Sequence, residues 1–172
     1  MNEHGLHTQY RVERPLERWR NGVAFYQEAS ARGLAPVLVS ADEEQLTAQR
    51  CEPLILWLGR FPGRRDEMAR ALIARIKELH SCGICHRDVY DGNVLVRDDD
   101  VPVFIDFELA THADPSAPCY DLCGPGPSGV AVPAAHAAQV GSRNENGVYW
   151  DNAEHPSLST IFGPVASFES TE

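Results

Sequence analysis

Lysine is nearly missing from this chain: of 15 basic residues in 172, Lys77 is the one lysine and the rest are arginines. A site elsewhere that needs a side-chain cation must use guanidinium, a planar fork rather than a compact point charge. Positive charge as a whole is scarce, with 15 Lys and Arg against 25 Asp and Glu and a formal net charge of −10. That balance repels phosphate backbones and anionic headgroups, so neither nucleic acid nor a membrane surface is expected as a partner. Long apolar runs are lacking too. The longest, Leu54 to Leu58, is far short of the roughly 20 residues that cross a bilayer. Met1 to Tyr10 contains no apolar core of a signal peptide, and the expected location is the cytoplasm. The five cysteines, Cys51, Cys82, Cys85, Cys119 and Cys123, are odd in number, which excludes a fully paired disulfide framework and fits reduced thiols.

What is present suits one globular domain. Hydrophobic residues make up 43% of the chain and aromatics 8%, and a domain of about 150 residues buries about 68–70% of its unfolded surface without metal or disulfide staples. Leu16, Trp19, Val23 and Tyr26 recur at three- and four-residue steps, predicting a helix over Leu16 to Ala31 with Gly33 as its stop. Pro36 to Val39, the acidic turn Asp42-Glu43-Glu44 and Gln45 to Cys51 read as strand, turn, strand. Glu52-Pro53 then interrupts the ladder, because proline lacks the N–H. A short helix from Leu54 precedes Pro62-Gly63, and a longer one runs from Asp66 to His80. Its apolar face is Met68, Leu72, Ile73, Ile76 and Leu79, acids occupy its first turn, and Gly83 stops it. Val94 to Val96 and Val101 to Ile105 flank a charged turn and predict a hairpin. The remainder is rich in proline, glycine, serine and alanine, with short helices expected after Pro133 and around Ser157 to Phe162.

A hairpin brings the residue before its first strand and the residue after its second to the same end, so Asn93 and Asp106 should face each other. Asp88 lies on the loop that feeds that end. Two carboxylates and an amide oxygen are hard ligands of the kind Mg²⁺ takes when it also holds substrate phosphates.

The residues carrying this constellation form a pattern. His86-Arg87-Asp88-Val89-Tyr90-Asp91-Gly92-Asn93 resembles the catalytic loop H-R-D-x-x-x-x-N of the protein-kinase-like superfamily, and Asp106-Phe107-Glu108 stands where that family has D-F-G. The resemblance implies an α+β, reduced two-lobe architecture over 1–172. Its partial small lobe would be 12–50, its hinge 51–54, and its catalytic lobe 55–172, shortened and loop-rich toward the C-terminus. It implies ATP and Mg²⁺ as cofactors, Asp88 as the base that takes the acceptor's proton, and Asn93 and Asp106 as metal ligands. His86 would be structural, and Arg87 would pair with a phosphorylated activation segment. Cys51, Glu52 and Pro53 would form the hinge that receives adenine. The expected acceptor is a serine or threonine hydroxyl of a protein, with a small hydroxylated molecule or a catalytically silent binding module as alternatives. Arg87 sets the loop apart from aminoglycoside-type phosphotransferases, which usually carry glycine there.

The chain departs from the family at four places. No glycine-rich loop precedes the first long helix, and the family's phosphate-binding lysine is absent, leaving Arg11 or Arg14 as substitutes, of which Arg14 is taken as the cofactor-binding candidate. Gly22 stands about where that lysine's glutamate partner belongs, with Glu17 and Glu28 nearby. Glu108 replaces the glycine of D-F-G.

Other motifs have simpler explanations. Cys82-Gly83-Ile84-Cys85-His86 has the form of a c-type haem attachment, but its histidine belongs to the catalytic-loop pattern. Zinc on Cys82, Cys85, Cys119 and Cys123 would need an unusual spacing. Gly124 to Gly129 spells G-x-G-x-x-G without the strand and helix that give the motif its meaning. The run Asp98-Asp99-Asp100 reads as a solvated turn.

Overall fold

A computed structural model describes residues 5–112 and 158–162. Helix α1 spans Leu16–Ala31 and buries Trp19, Phe25, Tyr26 and Ala29. Its end follows from Gly33, whose φ of +69° lets the chain turn back. The Gly33 N–H then reaches the Ser30 carbonyl at 3.0 Å and the Leu34 N–H reaches Ala29 at 2.8 Å, the Schellman pairing that satisfies two orphan carbonyls.

Three strands lie beside this helix: β1 (Leu6–Tyr10), β2 (Leu38–Ala41) and β3 (Gln45–Gln49), in the order β1-β3-β2 and antiparallel throughout. The turn between β2 and β3 is fixed by Asp42, whose Oδ1 accepts the N–H groups of Glu44 and Gln45 at 2.8 and 2.9 Å. Strand β1 is a correction to the sequence reading. The lobe takes in residues before 12, because Leu6 to Tyr10 pairs residue for residue with β3, from Leu6 opposite Gln49 to Tyr10 opposite Gln45. Its faces show little hydrophobic contrast, and Leu6 and Tyr10 are exposed. The open ladder edge of β3 and the Thr8–Thr47 hydroxyl bond of 2.9 Å place it instead.

The hinge also differs from a plain connector. Glu52–Pro53 forms β4, which pairs antiparallel with β6 (Val94–Val96), and β6 pairs with β7 (Pro102–Phe104). Proline is tolerated because β4 is the outer strand of this sheet. A further pair joins β5 (Ile84–Cys85) to β8 (Thr111–His112).

Helix α2 (Leu54–Arg60) and helix α3 (Arg65–Ser81) are separated by a 3-10 turn at Pro62–Arg64. The whole apolar face read from the sequence of α3 is buried. Burying one such aliphatic side chain stabilises the fold by about 1.5–3 kcal/mol. Leu158 and Phe162 of α4 (Leu158–Phe162) join the same core, beside Trp57, Phe104 and Phe107. Asp100 is not the solvated residue expected of its turn. It accepts the Trp57 Nε1–H at 2.8 Å and Arg64 Nη1 at 2.6 Å, tying α2 and the start of α3 to the hairpin tip. The result is a mixed α+β fold of the protein-kinase-like kind with a reduced small lobe. Among the described residues no helix is long and apolar enough to cross a membrane. The segments around Pro133, Gly124 to Gly129, and Cys119 with Cys123 lie outside the described residues.

Candidate active site

The catalytic-loop pattern begins where α3 stops. Cys82 caps the helix, Gly83 turns the chain at φ +78°, and the buried pair Ile84-Cys85 delivers His86 to the interior. His86 is fully buried between the rings of Phe104 and Phe107, at centroid distances of 5.8 and 4.6 Å. It accepts the Asp88 N–H at Nδ1 (3.2 Å) and so donates from Nε2 to the Ile105 carbonyl (3.0 Å). One side chain thereby joins the Asp88 loop to the end of the hairpin that carries Asp106.

Asn93 makes the second link. Its Nδ2 donates to both the backbone carbonyl and the Oδ2 of Asp88, at 2.9 and 3.0 Å. Its own carbonyl accepts the Ile105 N–H at 3.0 Å. Asn93 and Asp106 therefore meet at one end of the β6–β7 hairpin, as the register requires, and both line the same cavity. With the Asn93 amide nitrogen committed to Asp88, its Oδ1 remains a hard oxygen donor on a residue that lines the cavity together with Asp106. This donor set fits Mg²⁺.

Two non-glycine residues here adopt left-handed backbone: Arg87 at φ +66° and Asp106 at φ +61°. Such conformations cost of order 1–3 kcal/mol each and persist only where the surroundings over-determine them. Arg87 is held by the β5–β8 pairing and by its Nε, which donates to the Thr111 hydroxyl at 2.6 Å. The turn after Asp106, a 3-10 segment over Phe107–Leu109, is held from α1. Asn21 Nδ2 donates to the carbonyls of Glu108 (3.2 Å) and Ala110 (3.0 Å). A Cβ on Gly22 would stand 3.2 Å from the Glu108 Cα and backbone N. Glycine lets the helix rest directly on the turn.

The Arg14 guanidinium reaches this turn from the coil between β1 and α1. Its Nη2 lies 3.5 Å from Asp106 Oδ2 and its Nη1 3.7 Å from Glu108 Oε2. Arg11 does not approach the site, since its side chain donates to the carbonyls of Glu43 and Arg14. Neither Glu17 nor Glu28 does: Glu17 is exposed, and Glu28 faces Arg32 at 3.6 Å. Burial, and then the neighbouring Asp106 carboxylate, push the Glu108 carboxyl above its usual range, while Arg14 and Arg18 oppose the shift.

The cavity has a volume of about 500 Å³, within the range of small-molecule sites. Cys51 and Pro53 of the hinge line it, but Glu52 does not, its carboxylate being turned to Arg60 at 2.5 Å. Burial pushes the Cys51 thiol up to about 11, with Asp98 and Asp99 adding to the shift and Arg97 opposing it. The roof is β1 and β3, through His7, Gln9, Leu46 and Ala48. Tyr26 of α1 closes the back, its phenol raised well above the usual range first by burial. Sequence reasoning missed the roof from β1 and the Asn21-Gly22 contact; an asparagine-glycine pair in mid-helix was the available signal for the second. Among the described residues no group of three or more His, Cys, Asp or Glu side chains is placed to hold a metal.

Comparison with known proteins agrees with this geometry. Segments of 55 and 51 residues align with two curated kinases. A PAS domain-containing serine/threonine-protein kinase of Mus musculus is 36% identical over 55 residues, 32% of this chain and 4% of that protein. A stress-activated protein kinase JNK of Suberites domuncula is 41% identical over 51 residues, 30% of this chain and 14% of that protein. The chain thus matches only a small part of either relative. The broader match is to the phosphotransferase enzyme family, APH, over residues 6–144, a span that runs from β1 through the Asp88 loop and the Asp106 turn and stands with arginine at position 87. With that span covering most of the chain, this protein belongs to the phosphotransferase enzyme family.

Proposed function

We propose that this chain moves the γ-phosphoryl group of ATP to a hydroxyl acceptor, most favourably a serine or threonine of a protein, with Asp88 as the base. The observation that carries the reading is the Asn93 bridge. By donating twice to Asp88 it fixes that carboxylate, and it lines the same cavity as Asp106. Asn93 and Asp106 would hold Mg²⁺, and the bound ion would neutralise charge on the transferring phosphates. The purine would lie between the β1–β3 roof and Leu95, against the Cys51 to Pro53 hinge. Arg14 supplies the cation at the phosphate end. Asp88 accepts the acceptor's proton as its oxygen bonds to the γ-phosphorus; the bond from that phosphorus to the β–γ bridging oxygen breaks, and ADP leaves. The protein's contribution is positioning and charge, which is most of what phosphoryl transfer asks of an enzyme.

The two kinase relatives support a protein acceptor. The longer family match favours a second reading, a small hydroxylated acceptor such as a sugar or an aminoglycoside. Both are tested with ATP labelled at the γ-phosphate, Mg²⁺, a protein extract and a panel of small polyols, run beside Asp88→Asn. Label on protein that is lost in the variant supports the first reading, and label confined to small acceptors supports the second. Absence of transfer to either, with ATP still bound, overturns catalysis and leaves a nucleotide-binding module.

A further inference from the structure

We propose that Glu108 is a positioning residue that tethers Arg14 at the phosphate end of the cleft, and that Gly22 of α1 provides the space the tether needs. The inference rests on the nucleotide-binding reading above. Arg14 belongs to no helix or strand, so its backbone alone does not aim the guanidinium. Two carboxylates do: Asp106 at 3.5 Å and Glu108 at 3.7 Å. They are not equivalent. Asp106 is the group assigned to a divalent cation, and a cation bound there competes with the arginine for the same charge. Glu108 keeps its hold in either state.

Glu108 is suited to that role because its place is set by α1. Asn21 binds the carbonyls on both sides of the turn, and α1 approaches so closely at Gly22 that a methyl group would press on the Glu108 backbone at 3.2 Å. Glu108 Oε2 is buried without a hydrogen bond, and of the positive charges that compensate it the Arg14 guanidinium, at 3.7 Å, acts more strongly than Arg18. An isolated buried charge is costly, so the pair holds itself together from both sides. The chain of contact runs from helix to turn, from turn to Glu108, and from Glu108 to the guanidinium.

The test measures affinity for MgATP and for adenosine, which lacks phosphates, in the full chain and in Glu108→Gln, Glu108→Asp, Arg14→Ala and the Glu108→Gln/Arg14→Ala pair. Glu108→Gln and Arg14→Ala are each expected to weaken MgATP about tenfold, a change of about 1.4 kcal/mol. Adenosine binding should stay the same, Glu108→Asp should recover part of the loss, and the double variant should bind no more weakly than Arg14→Ala alone. A parallel loss for adenosine overturns the proposal in favour of general damage to the cleft. Multiplying losses in the double variant, or unchanged MgATP binding by Glu108→Gln, overturn it while leaving nucleotide binding intact. Failure of the unaltered chain to bind MgATP removes the functional reading itself.

Discussion

The two halves of the cleft are held by different means. On the Asp88 side, His86 and Asn93 make short hydrogen bonds of 2.9–3.2 Å to the loop and to the base of the hairpin. On the Arg14 side, the contacts are ion pairs of 3.5 and 3.7 Å from a coil, backed by a helix lying on a turn. The first half is a closed network that specifies one geometry. The second depends on where α1 sits, and a small shift of that helix reaches the guanidinium. Chemistry and nucleotide affinity should therefore respond to different substitutions.

The largest effect belongs to the first half. Asp88→Asn keeps the shape of the side chain and removes the proton acceptor, so turnover should fall by about 10²–10⁴-fold. MgATP affinity should change little; a comparable loss of affinity, read by calorimetry, would break the division of labour between the halves. Asn93→Ala should be smaller in turnover terms but visible in folding. It removes two hydrogen bonds to the buried Asp88, at the carbonyl and at Oδ2, an expected loss of about 1–3 kcal/mol in denaturant unfolding.

Gly22→Ala sharpens the comparison from the other side. Helix propensity alone would stabilise α1 by about 1 kcal/mol. The new methyl meets the backbone of Glu108, which cannot yield as a side-chain end would, and MgATP binding should weaken several-fold, an effect of about 1 kcal/mol. Calorimetric binding and thermal unfolding of the same sample separate the two signs. Unaltered affinity would show that α1 does not steer the cleft.

The smallest effect lies away from the cleft. Arg64, and then Trp57, hold the Asp100 carboxyl below its usual 3.8. The unfolded chain therefore takes up this proton first as pH falls. Stability from these bonds is complete above about pH 5 and is lost as pH drops through the folded-state value, below about 4. Asp100→Asn should flatten this acid limb in melting curves between pH 5 and 3, while leaving MgATP affinity as it is.

Much of the Asp88 half could be read from the sequence because its determinants are local. The apolar face of α3, the Gly83 stop and the two valine-rich strands fix where the loop begins and which residues meet at the hairpin end. Arg14 is the candidate preferred from the sequence, but no local signal separates it from Arg11. Both lie in the same short coil, and only the position of the Asp106 turn across the cleft separates them. Strand β1 escaped for a related reason, since its pairing with β3 is tertiary and its own faces carry no hydrophobic contrast. The Glu52-Pro53 break was sound as local chemistry, but an outer strand needs fewer donors than an inner one.

Arg50 lines the cavity and Arg14 a small pocket beside Asp106; both are guanidinium groups, and Lys77 sits exposed on α3. Acyl-phosphate analogues of ATP, which identify nucleotide-binding proteins by acylating an amine near the phosphates, would find no ε-amine among the described residues of this cleft. A survey based on such reagents would pass over the protein even while it bound ATP. Dicarbonyl reagents directed at guanidinium, with ATP present or absent as the protecting ligand, are the chemistry suited to detecting it.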